Sequence, residues 1–597
     1  MSTPQYKRTH DCGSLRKTDI DKKINLSGWV NRRRDHGGLI FIDLRDRYGI
    51  VQLVFDPKIS ETLHKEASKL RSEWVISVSG TVSHRGENLI NPKLATGEIE
   101  VNVESLNIIS VAKTPPFSIC DDTIDVHEEL RLKHRYLDIR RGQIIHNLEI
   151  RHKALHVIRN FLNSHSFLEV STPILAKSTP EGARDYLVPS RIYPGNFYAL
   201  PQSPQIFKQL LMVSGVDRYY QVAPCFRDED LRSDRQPEFT QIDIEASFLD
   251  SEDIYSLCET MLTKIFKECL DIDISTPFPR MTHSECIERY GTDKPDLRFQ
   301  MPLVRLDDII EASNFDLLKD YLQNNGCVKA ICVKNGADFS RREIDEFVSF
   351  VSPFNLRGLA WMKKTQEGFS SNIVKFFSVD LLQKLEKRMN AENNDLILIA
   401  AEKDTIVNQG MDHLRRHIAK KQGLIDKSSY RFLWVTNFPM FSKDETTNEL
   451  KAEHHPFTQP NHEDISLLET NPLQVRSLAY DLVVNGYELA GGSQRIHDQE
   501  IQEKVFNALK LEAKDIDEKF GFFIEALKYG TPPHLGIAFG LDRLIMLLCK
   551  TENIRDVIAF PKTQKASDLM MQAPSEPLKG HLAELKIKSE ATEIHWN

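Results

Sequence analysis

The sequence predicts an α+β protein of several domains: an N-terminal OB-fold β-barrel, then a larger domain of helices and strands that an inserted α/β domain splits. Three observations carry this prediction. The chain has 597 residues, more than one compact core usually holds. Alternating apolar segments fill roughly the first 110 residues, whereas helical spacing begins at Ile144. Candidate chemistry stops near Gln300 and resumes at Phe432, which indicates an insertion between them.

The composition is typical of a globular chain, with 77 Lys and Arg, 86 Asp and Glu, a net charge of −9 and 41% hydrophobic residues. A membrane helix needs about 20 unbroken apolar residues, and the apolar run near the C-terminus is interrupted by Asp542 and Arg543. No leader pattern follows Met1, so we expect a cytoplasmic protein with no membrane partner. The nine cysteines stand singly and predict free thiols in a reducing compartment.

An OB-fold is predicted from the order of elements in the N-terminal region. Five apolar segments alternate as strands do, and a polar helical stretch lies between the third and the fourth. The predicted strands are 24–30, 39–44, 50–55, 74–82 and 99–109.

A basic turn is expected between the first two strands, at residues 31–38. It contains Arg32, Arg34 and His36, and Phe41 follows on the next strand. OB-folds hold single-stranded nucleic acid with cationic side chains and exposed aromatic rings. An arginine run alone is more often a solvated charged turn, but its place on a predicted barrel favours nucleic acid.

The domain boundaries follow from these patterns. Pro115-Pro116 and the charged stretch 121–141 indicate a hinge, and residues 301–424 show their own short helix and strand patterns without candidate catalytic residues. We predict an OB-fold domain at 1–112, a hinge at 113–143, a first catalytic part at 144–300, an inserted domain at 301–424, a second catalytic part at 425–573 and a C-terminal extension at 574–597.

Two alternating strands flank a highly charged loop at residues 227–238. Arg227 ends the first strand, where its guanidinium can fork onto a phosphate. Phe239 begins the second strand, where its ring can stack under a flat base. A charged hairpin tip is normally just solvated, but this many charges beside an aromatic ring and Pro237 indicate a ligand.

Two further segments carry candidate chemistry. Residues 534–548 read as an apolar strand, a Gly turn and an apolar helix with Arg543 in its first turn, where the helix dipole also favours phosphate. Residues 161–175 read as a helix leading into a strand that contains Pro173. Proline in a strand belongs at an edge or an interface.

In this order, the three segments resemble the signature motifs of class II aminoacyl-tRNA synthetases. FRDEDLRSDRQPEFTQID, preceded by QSPQIFKQ and followed by AFGLDR and AFPKT, resembles the bacterial-type aspartyl-tRNA synthetases over essentially the whole chain. The resemblance implies an anticodon-binding OB-fold, a catalytic antiparallel sheet flanked by helices, and an inserted domain between motifs 2 and 3. It also implies ATP-dependent attachment of L-aspartate to tRNA through an aspartyl-adenylate, and a homodimer formed around Pro173.

The resemblance implies an ATP site with Arg227, Glu488 and Arg543 as catalytic residues. Arg227 would hold the α-phosphate and Glu229 the adenine amino group, while Phe239 and Arg543 would sandwich the adenine ring. Asp481 and Glu488 would hold Mg²⁺, for which carboxylate oxygens are suitable ligands, although such acids are more often surface residues. The implied ATP-binding residues are Arg227, Asp228, Glu229, Gln236, Phe239, Glu488, Gly540, Leu541, Asp542 and Arg543.

The resemblance also implies an aspartate pocket, in which Lys208 and Arg495 clamp the side-chain carboxylate and Asp243 faces the ammonium group. Gln205 and Lys208 are three residues apart and share a face of a helix that Ser203 caps and Pro204 starts. The pair His454-His455 is not expected to bind metal, because neighbouring side chains point apart on a strand. The implied aspartate-binding residues are Glu181, Ser203, Gln205, Lys208, Arg227, Asp243, His454 and Arg495.

Choice of tRNA is implied to rest on Arg32, Arg34, His36, Phe41, Gln52 and Asn88. In this family, Leu after the Arg-Arg-Arg-Asp turn goes with charging of tRNA(Asp) alone, whereas His resembles enzymes that also charge tRNA(Asn). At the position near Asn88, strict enzymes carry Lys and relaxed ones a small residue, so Asn88 matches neither. Charging of both tRNAs is expected, with an amidotransferase partner to convert the misacylated product; an enzyme for tRNA(Asp) alone stays open.

Three other interpretations compete. A non-catalytic tRNA-binding paralogue would be expected to lack some of Arg227, Glu488 and Arg543, and none is lacking. An asparaginyl or lysyl enzyme should neither pair Lys208 with Arg495 nor carry this insertion. A generic single-strand-binding OB protein would explain only about the first 110 residues.

Overall fold

A computed structural model describes residues 6–120, 125–179, 183–444, 447–578 and 580–589. The chain divides into two compact units, one drawn from Met1–His152, Leu231–Gln236 and Thr551–Pro577, the other from Lys153–Asp230, Pro237–Lys550 and Leu578–Asn597. Within the described residues, every helix is too short or too polar to cross a membrane.

The first unit contains a closed barrel with strand order β1-β2-β3-β5-β4. Its strands and helix are β1 (Lys23–His36), β2 (Leu39–Asp46), β3 (Gly49–Phe55), α1 (Glu61–Ala67), β4 (Val75–His84) and β5 (Ile99–Ser110). Leu26, Ile42, Leu53 and Val78 point inward and are at most 2% exposed. The predicted OB-fold is therefore confirmed.

The basic run does not form the predicted turn. Strand β1 continues through it to His36, and only Gly37 and Gly38 connect β1 to β2, both with positive φ. The strand extends this far because β2 pairs with it as far as His36 opposite Leu39, after a bulge between Val30 and Arg32. The arginines therefore lie on a twisted strand rather than in a loop.

A buried arginine, Arg135, bonds the helical segment after the barrel to the C-terminal part of the same unit. The helices of this segment are α2 (Glu128–Lys133), α3 (Arg135–Asp138) and α4 (Gly142–Ser164). Arg135 donates to Asp138 (2.6 Å) and to the carbonyl oxygens of Arg555 (2.6 Å), Ile558 (2.9 Å) and Ala559 (3.0 Å). Its side chain is 3% exposed and that of Asp138 is fully buried.

The second unit is built on an eight-stranded sheet of order β11-β17-β20-β21-β22-β10-β9-β6. The inner pairs are antiparallel, while β6–β9 and β11–β17 are parallel. The elements of its first part are β6 (Leu168–Glu169), β7 (Leu187–Pro189), β8 (Phe197–Ala199), α5 (Gln205–Val213), β9 (Arg218–Phe226), β10 (Glu238–Ser247), α6 (Ser251–Leu270), β11 (Arg280–Thr282) and α7 (His283–Tyr290).

A separate antiparallel sheet of order β12-β13-β16-β14-β15 interrupts this part of the chain. Alternate residues of its central strand enter two cores: Leu396 and Leu398 on one face, Ile397 and Ile399 on the other. Its elements are β12 (Val304–Arg305), α8 (Asp307–Glu311), α9 (Asp316–Gln323), β13 (Cys327–Val333), α10 (Arg341–Val351), β14 (Ala360–Thr365), β15 (Gly368–Ser370), α11 (Val379–Met389), β16 (Leu396–Glu402) and α12 (Asp404–Lys421).

The chain then returns to the eight-stranded sheet. The remaining elements are β17 (Phe432–Thr436), β18 (Phe441–Lys443), β19 (Leu450–Ala452), α13 (Leu467–Thr470), β20 (Ala479–Val484), β21 (Tyr487–Gln494), α14 (Gln499–Ala508), α15 (Ala513–Leu527), β22 (His534–Gly540), α16 (Leu541–Leu548) and α17 (His581–Leu585).

The strand predicted through Pro173 is shorter than expected. β6 covers only Leu168–Glu169, and the next backbone bond to β9 is the last, from Val170 N to Tyr220 O (3.1 Å). Pro173 lies three residues beyond this bond, outside the ladder. Thr172 instead donates through its hydroxyl to Gln221 (2.9 Å).

Replacing Arg135 with Met should lower the free energy of unfolding by about 3 kcal/mol, because Asp138 and three carbonyl oxygens lose a buried cationic partner. Chemical denaturation of the full chain measures this change. Arg47→Met is the matched control: Arg47 pairs with Glu149 at 3.4 Å, with 57% and 44% of the two side chains exposed, and should cost at most about 1 kcal/mol. An equal loss of free energy of unfolding in the two variants would contradict the stabilising role given to the buried Arg135.

Candidate functional site

The charged loop between β9 and β10 is closed at its base. Phe239 lies opposite Cys225 in the strand register, and Arg227 N donates to Pro237 O (2.9 Å). The Arg227 guanidinium lies 5.1 Å from the centroid of the Phe239 ring, and its Nε donates to Gln202 O (3.4 Å). A flat cation and a ring are thereby held together at the end of two strands.

The other predicted residues of this loop occupy different surroundings. Asp228 pairs with Arg184 at 3.3 Å, and both are partly exposed. Glu229 follows, half-buried. Gln236 belongs to the first unit, where its amide donates to Lys562 O (3.1 Å) and accepts from Lys562 N (2.8 Å).

The predicted strand, Gly turn and helix at 534–548 are confirmed as β22 and α16. Gly540 ends the strand and Leu541 begins the helix. Asp542 accepts from Thr240 N on β10 (2.7 Å), and Arg543 donates to Glu488 O on β21. The first turn of α16 is thus fixed to the strands on either side of β22.

A bulge brings Asp481 and Glu488 to one face of the hairpin formed by β20 and β21. Asp481 lies opposite Gly491, but Glu488 lies opposite Val483 because the register shifts at Leu482 and Val483. A β-carbon on Gly491 would lie 2.7 Å from Asp481 Oδ1 and 3.8 Å from Glu488 Oε1. Both carboxylates therefore border the same small space, which only glycine leaves open.

Burial and neighbouring charges shift the pKa of Asp481, whose exposed fraction is 8%. Burial and the neighbouring carboxylates of Glu488 and Asp293 raise the pKa of Asp481 well above its ordinary value, while Lys294 and Arg543 act in the opposite sense. Neighbouring carboxylates are unfavourable when both are charged, unless one is protonated or a cation lies between them.

Four buried charges form a second cluster on the same sheet. Lys208 contacts Asp243 at 3.0 Å and Glu245 at 3.4 Å, and Arg495 donates to both oxygens of Glu245 (2.8 and 3.1 Å). All four side chains are at most 2% exposed. Within the described part of the chain, Oδ2 of Asp243 has no hydrogen-bond partner.

The two acids respond differently to this cluster. Burial raises the pKa of Asp243, and Lys208 offsets that only in part. Burial also acts to raise the pKa of Glu245, but Arg495 and Lys208 together hold it below its ordinary value. Glu245 is therefore the firmly ionised member, and Asp243 retains an acceptor for another cation.

Two predictions about local structure near this cluster are wrong. His454 and His455 lie in a loop after β19 rather than on a strand, since β19 ends at Ala452. The residue before α5 is Pro204, and Ser203 lies one position further out, although its hydroxyl still accepts from Gln205 N (3.3 Å). Gln205 and Lys208 are both buried on α5, as their spacing predicts.

The histidine that contacts the cluster is His455. Arg495 Nη1 donates to its Nε2 (2.8 Å), and burial together with Arg495 holds the pKa of His455 well below its ordinary value. His454, the residue named from the sequence, packs edge-on against Phe438 at 5.1 Å. Glu181 lies outside the described residues.

On the barrel, four of the predicted tRNA-contacting residues share the outer face. Arg34 lies opposite Phe41 and Arg32 opposite Asp43, which in turn lies opposite Gln52. Arg34 donates to Asp43 (2.6 Å) and to Gln52 (3.1 Å). His36 and Asn88 are exposed, and among the described residues no hydrogen bond links either to this face.

Three residues at these sites were missed from the sequence: Glu245, Gly491 and His455. Glu245 was detectable, since it follows Asp243 by two positions on a strand and must share its face. Gly491 and His455 gave no local signal, because the one depends on a bulge and the other on a contact with Arg495.

Comparisons with known proteins agree with this architecture. Residues 127–564 match the family described as tRNA synthetases class II (D, K and N), and residues 24–109 match the OB-fold nucleic acid binding domain. The chain is 58% identical to the aspartate–tRNA(Asp/Asn) ligase of Protochlamydia amoebophila over 99% of both chains. It is 53% identical to the ligase of the same name from Chlamydia caviae, covering 97% of this chain and 99% of that one.

Solved structures share the fold at lower identity. One is asparaginyl-tRNA synthetase from Pyrococcus horikoshii complexed with asparaginyl-adenylate (TM-score 0.58, 20% identity, covering 93% of this chain and 98% of that one). Another is aspartyl-tRNA synthetase from Entamoeba histolytica (TM-score 0.56, 20% identity, covering 93% and 91%).

Replacing Glu245 with Gln should lower the free energy of unfolding by about 3 kcal/mol at neutral pH, because Arg495 loses its buried anion. Since the pKa of Glu245 lies below its ordinary 4.5 in the folded chain, its contribution is present above pH 4.5 and is lost as pH falls through the lowered value. Urea unfolding at neutral pH and at the lowest pH that preserves the fold measures the free energy of unfolding. The difference between wild type and Glu245→Gln should be smaller at the lower pH.

The control for this variant is Glu252→Gln. Glu252 pairs with Arg280 on the surface of the same unit and is 65% exposed, so the change should cost at most about 1 kcal/mol. If the difference in free energy of unfolding between wild type and Glu245→Gln grows as pH falls, the pKa of Glu245 is not lowered in the folded chain.

Proposed function

We propose, since the chain belongs to the class II tRNA synthetases of the D, K and N group, that it attaches L-aspartate to tRNA through an aspartyl-adenylate. One observation carries this proposal: the buried Lys208 and Arg495 lie in one cluster with Asp243, whose carboxyl also feels the charge of Arg227. A cationic pocket for a dicarboxylic amino acid thus lies beside the arginine expected to hold phosphate.

Aspartate recognition follows from this charge arrangement. Lys208 and Arg495 pair with the side-chain carboxylate, and Asp243 accepts from the ammonium group through its unpartnered Oδ2. Asparagine would offer the two cations a neutral amide in place of a carboxylate, so the charge attraction that favours aspartate would be lost. Glu181, Ser203, Gln205 and His454 complete the proposed aspartate site.

ATP is bound across the ends of β9, β10, β21 and β22. Arg227 holds the α-phosphate, Glu229 meets the adenine amino group, and Phe239 with Arg543 sandwiches the adenine ring. The rest of the proposed ATP site on the second unit is Asp228, Gly540, Leu541, Asp542 and Glu488, and the contact of Gln236 with ATP stays a prediction from the sequence.

Chemistry in this site is chiefly positioning and charge stabilisation. The aspartate α-carboxylate attacks the α-phosphorus, the bond to the bridging oxygen breaks, and pyrophosphate leaves while Arg227 stabilises the negative charge on the phosphorus oxygens. The terminal adenosine hydroxyl of tRNA then takes the aspartyl group and AMP leaves. Neither step needs a nucleophilic side chain.

Asp481 and Glu488 are the residues that would hold Mg²⁺. Their oxygens border one space beside Gly491, and carboxylates are the ligands Mg²⁺ prefers. When bound, the ion neutralises phosphate charge. Arg543, which donates to Glu488 O, holds the backbone of this ligand in place.

The barrel face of Arg32, Arg34, Phe41 and Gln52 is proposed to bind the anticodon. The names of the relatives, aspartate–tRNA(Asp/Asn) ligase, and the exposed His36 favour charging of tRNA(Asp) and tRNA(Asn), with Asn88 at the second position that bears on this choice. Aspartyl-tRNA(Asn) would then need an amidotransferase that converts the aspartyl group to asparaginyl. A cytoplasmic location is proposed with these substrates.

Charging of separate tRNA(Asp) and tRNA(Asn) transcripts with labelled aspartate, ATP and Mg²⁺ tests the function. Label should appear on both transcripts, because the anticodon face accepts both. Charging of tRNA(Asp) alone would leave a strict aspartyl enzyme. Label on neither transcript would leave only a tRNA-binding paralogue.

A His36→Leu variant in the same assay tests the discriminating position. His36 is exposed and distant in sequence from the aspartate pocket, so the aspartate-dependent exchange between ATP and pyrophosphate should stay at the wild-type rate while charging of tRNA(Asn) falls relative to tRNA(Asp). The ratio of kcat/KM for the two transcripts is the readout.

A homodimer is proposed around Pro173. Three large apolar residues next to it are exposed, Leu168 by 57%, Ile174 by 45% and Leu175 by 53%, and such a patch indicates an interface. Light scattering should give twice 68.7 kDa for wild type and a lower mass for Leu175→Asp. Leu317→Asp, at a residue 65% exposed on α9, should keep the wild-type mass; a monomeric wild type would overturn the proposal.

A further inference from the structure

The two chain segments that lead into and out of the five-stranded sheet meet at one turn. Before that sheet, Asp296 lies against Gly486, where an added β-carbon would be 3.3 Å from Asp296 Cβ. After it, Arg431 N donates to Asn485 Oδ1 (2.8 Å), and Asn485 Nδ2 donates to Ser429 O (2.9 Å). This turn, Asn485-Gly486, joins the strands that carry Asp481 and Glu488.

Helix α12 holds the first of these segments, residues 291–301. Gly291 has φ +73°, and a β-carbon there would meet Asn408 O of α12 at 2.3 Å. The fully buried Arg415 of α12 lies between two rings, 4.9 Å from Tyr290 and 4.4 Å from Phe299. Residues 291–301 are therefore held in place by α12, a helix that belongs with the five-stranded sheet.

Arg415 also binds the backbone of the segment. Its Nε donates to Met301 O (3.1 Å) and its Nη2 to Asp296 O (3.3 Å). Asp296 is 3% exposed, and its carboxylate accepts from Arg298 at both oxygens (3.0 and 2.7 Å). The residue that touches Gly486 is thus fixed from two sides.

The same segment places charge beside the candidate metal ligands. Lys294 precedes Asp296, the residue that lies against Gly486, by two positions, and Asp293 and Lys294 both act electrostatically on Asp481, with opposite sign. Lys294 is half-buried, and its ammonium group is a suitable partner for phosphate oxygens. A shift of the segment would move this charge and loosen the turn together.

We propose that Arg415 is a positioning residue for ATP: by fixing residues 291–301 it holds the Asn485-Gly486 turn and presents Lys294 to the site of Asp481 and Glu488. This inference rests on the proposed function for the identity of the ligand. It gives the five-stranded sheet a part in adenylate formation, through α12, without a residue of its own at the reacting atoms.

The test is equilibrium binding of ATP with Mg²⁺ to the full-length chain by calorimetry, in wild type, Arg415→Met and Arg416→Met. Arg416 is the matched control: it neighbours Arg415 on α12 and pairs with the same Asp412 (2.6 Å, against 3.8 Å for Arg415), but it is 41% exposed. Arg415→Met should raise the Kd for ATP about tenfold, or ~1.4 kcal/mol, and change the Kd for aspartate less than about twofold. Arg416→Met should change neither.

A double-mutant cycle with Lys294→Met separates positioning from general packing. If Arg415 acts through the segment, the two losses of ATP affinity are not additive, because Lys294 is already misplaced in Arg415→Met. Additive losses, an unchanged Kd for ATP, or equal weakening of ATP and aspartate would overturn the proposal. If Arg415→Met fails to fold, Arg415→Lys takes its place, because lysine keeps the charge but cannot bridge both carbonyl oxygens. A raised Kd for ATP that is not additive with Lys294→Met would again support the proposal, and an unchanged or additive one would overturn it.

Failure of the proposed function is distinguishable from failure of this inference. ATP affinity is measured without aspartate or tRNA, so a wild type that charges neither transcript overturns the function and leaves the role of Arg415 to be decided by the cycle.

Discussion

Four charged side chains can be buried at the heart of the eight-stranded sheet only because each lies against a partner of opposite sign. Lys208 comes from α5, Asp243 and Glu245 from β10, and Arg495 from the position directly after β21. A buried ion without its partner costs several kcal/mol, so a helix and two strands far apart in the chain must meet in one register. The cluster that is proposed to select aspartate therefore also constrains the fold.

Missing side chains are the second part of that constraint. A β-carbon on Gly536 would lie 1.7 Å from Glu245 Oε2, and one on Gly491 2.7 Å from Asp481 Oδ1. Both glycines stand on strands next to acids that need room. The strands tolerate this loss of β-propensity because β22 and β21 are paired on both edges.

Local pattern was enough to predict the barrel, the hairpin of β9 and β10, and α16 after β22, since alternation and helical spacing are properties of neighbouring residues. Prediction from local pattern failed where pairing with a distant strand determines how far a strand extends. β1 runs on to His36 because β2 pairs with it, and the ladder of β6 stops at Val170, after which Thr172 bonds to Gln221 through its side chain. The bulge that brings Glu488 beside Asp481, and the approach of His455 to Arg495, depend on contacts between distant segments. The site residues stay a proposal, although Asp243, Lys208 and Arg495 do meet.

The position of the five-stranded sheet in the chain follows from the topology of the larger one. β11 and β17 are parallel neighbours, so the chain must cross back along the sheet between them. α7 and residues 291–301 make that return and end beside the start of β17. Because β17 is antiparallel to β20, with Phe432 opposite Val484, its start lies next to the Asn485-Gly486 turn. An insertion at this point joins the sheet beside the turn that leads into the strand of Glu488, and the role proposed for Arg415 follows from that position.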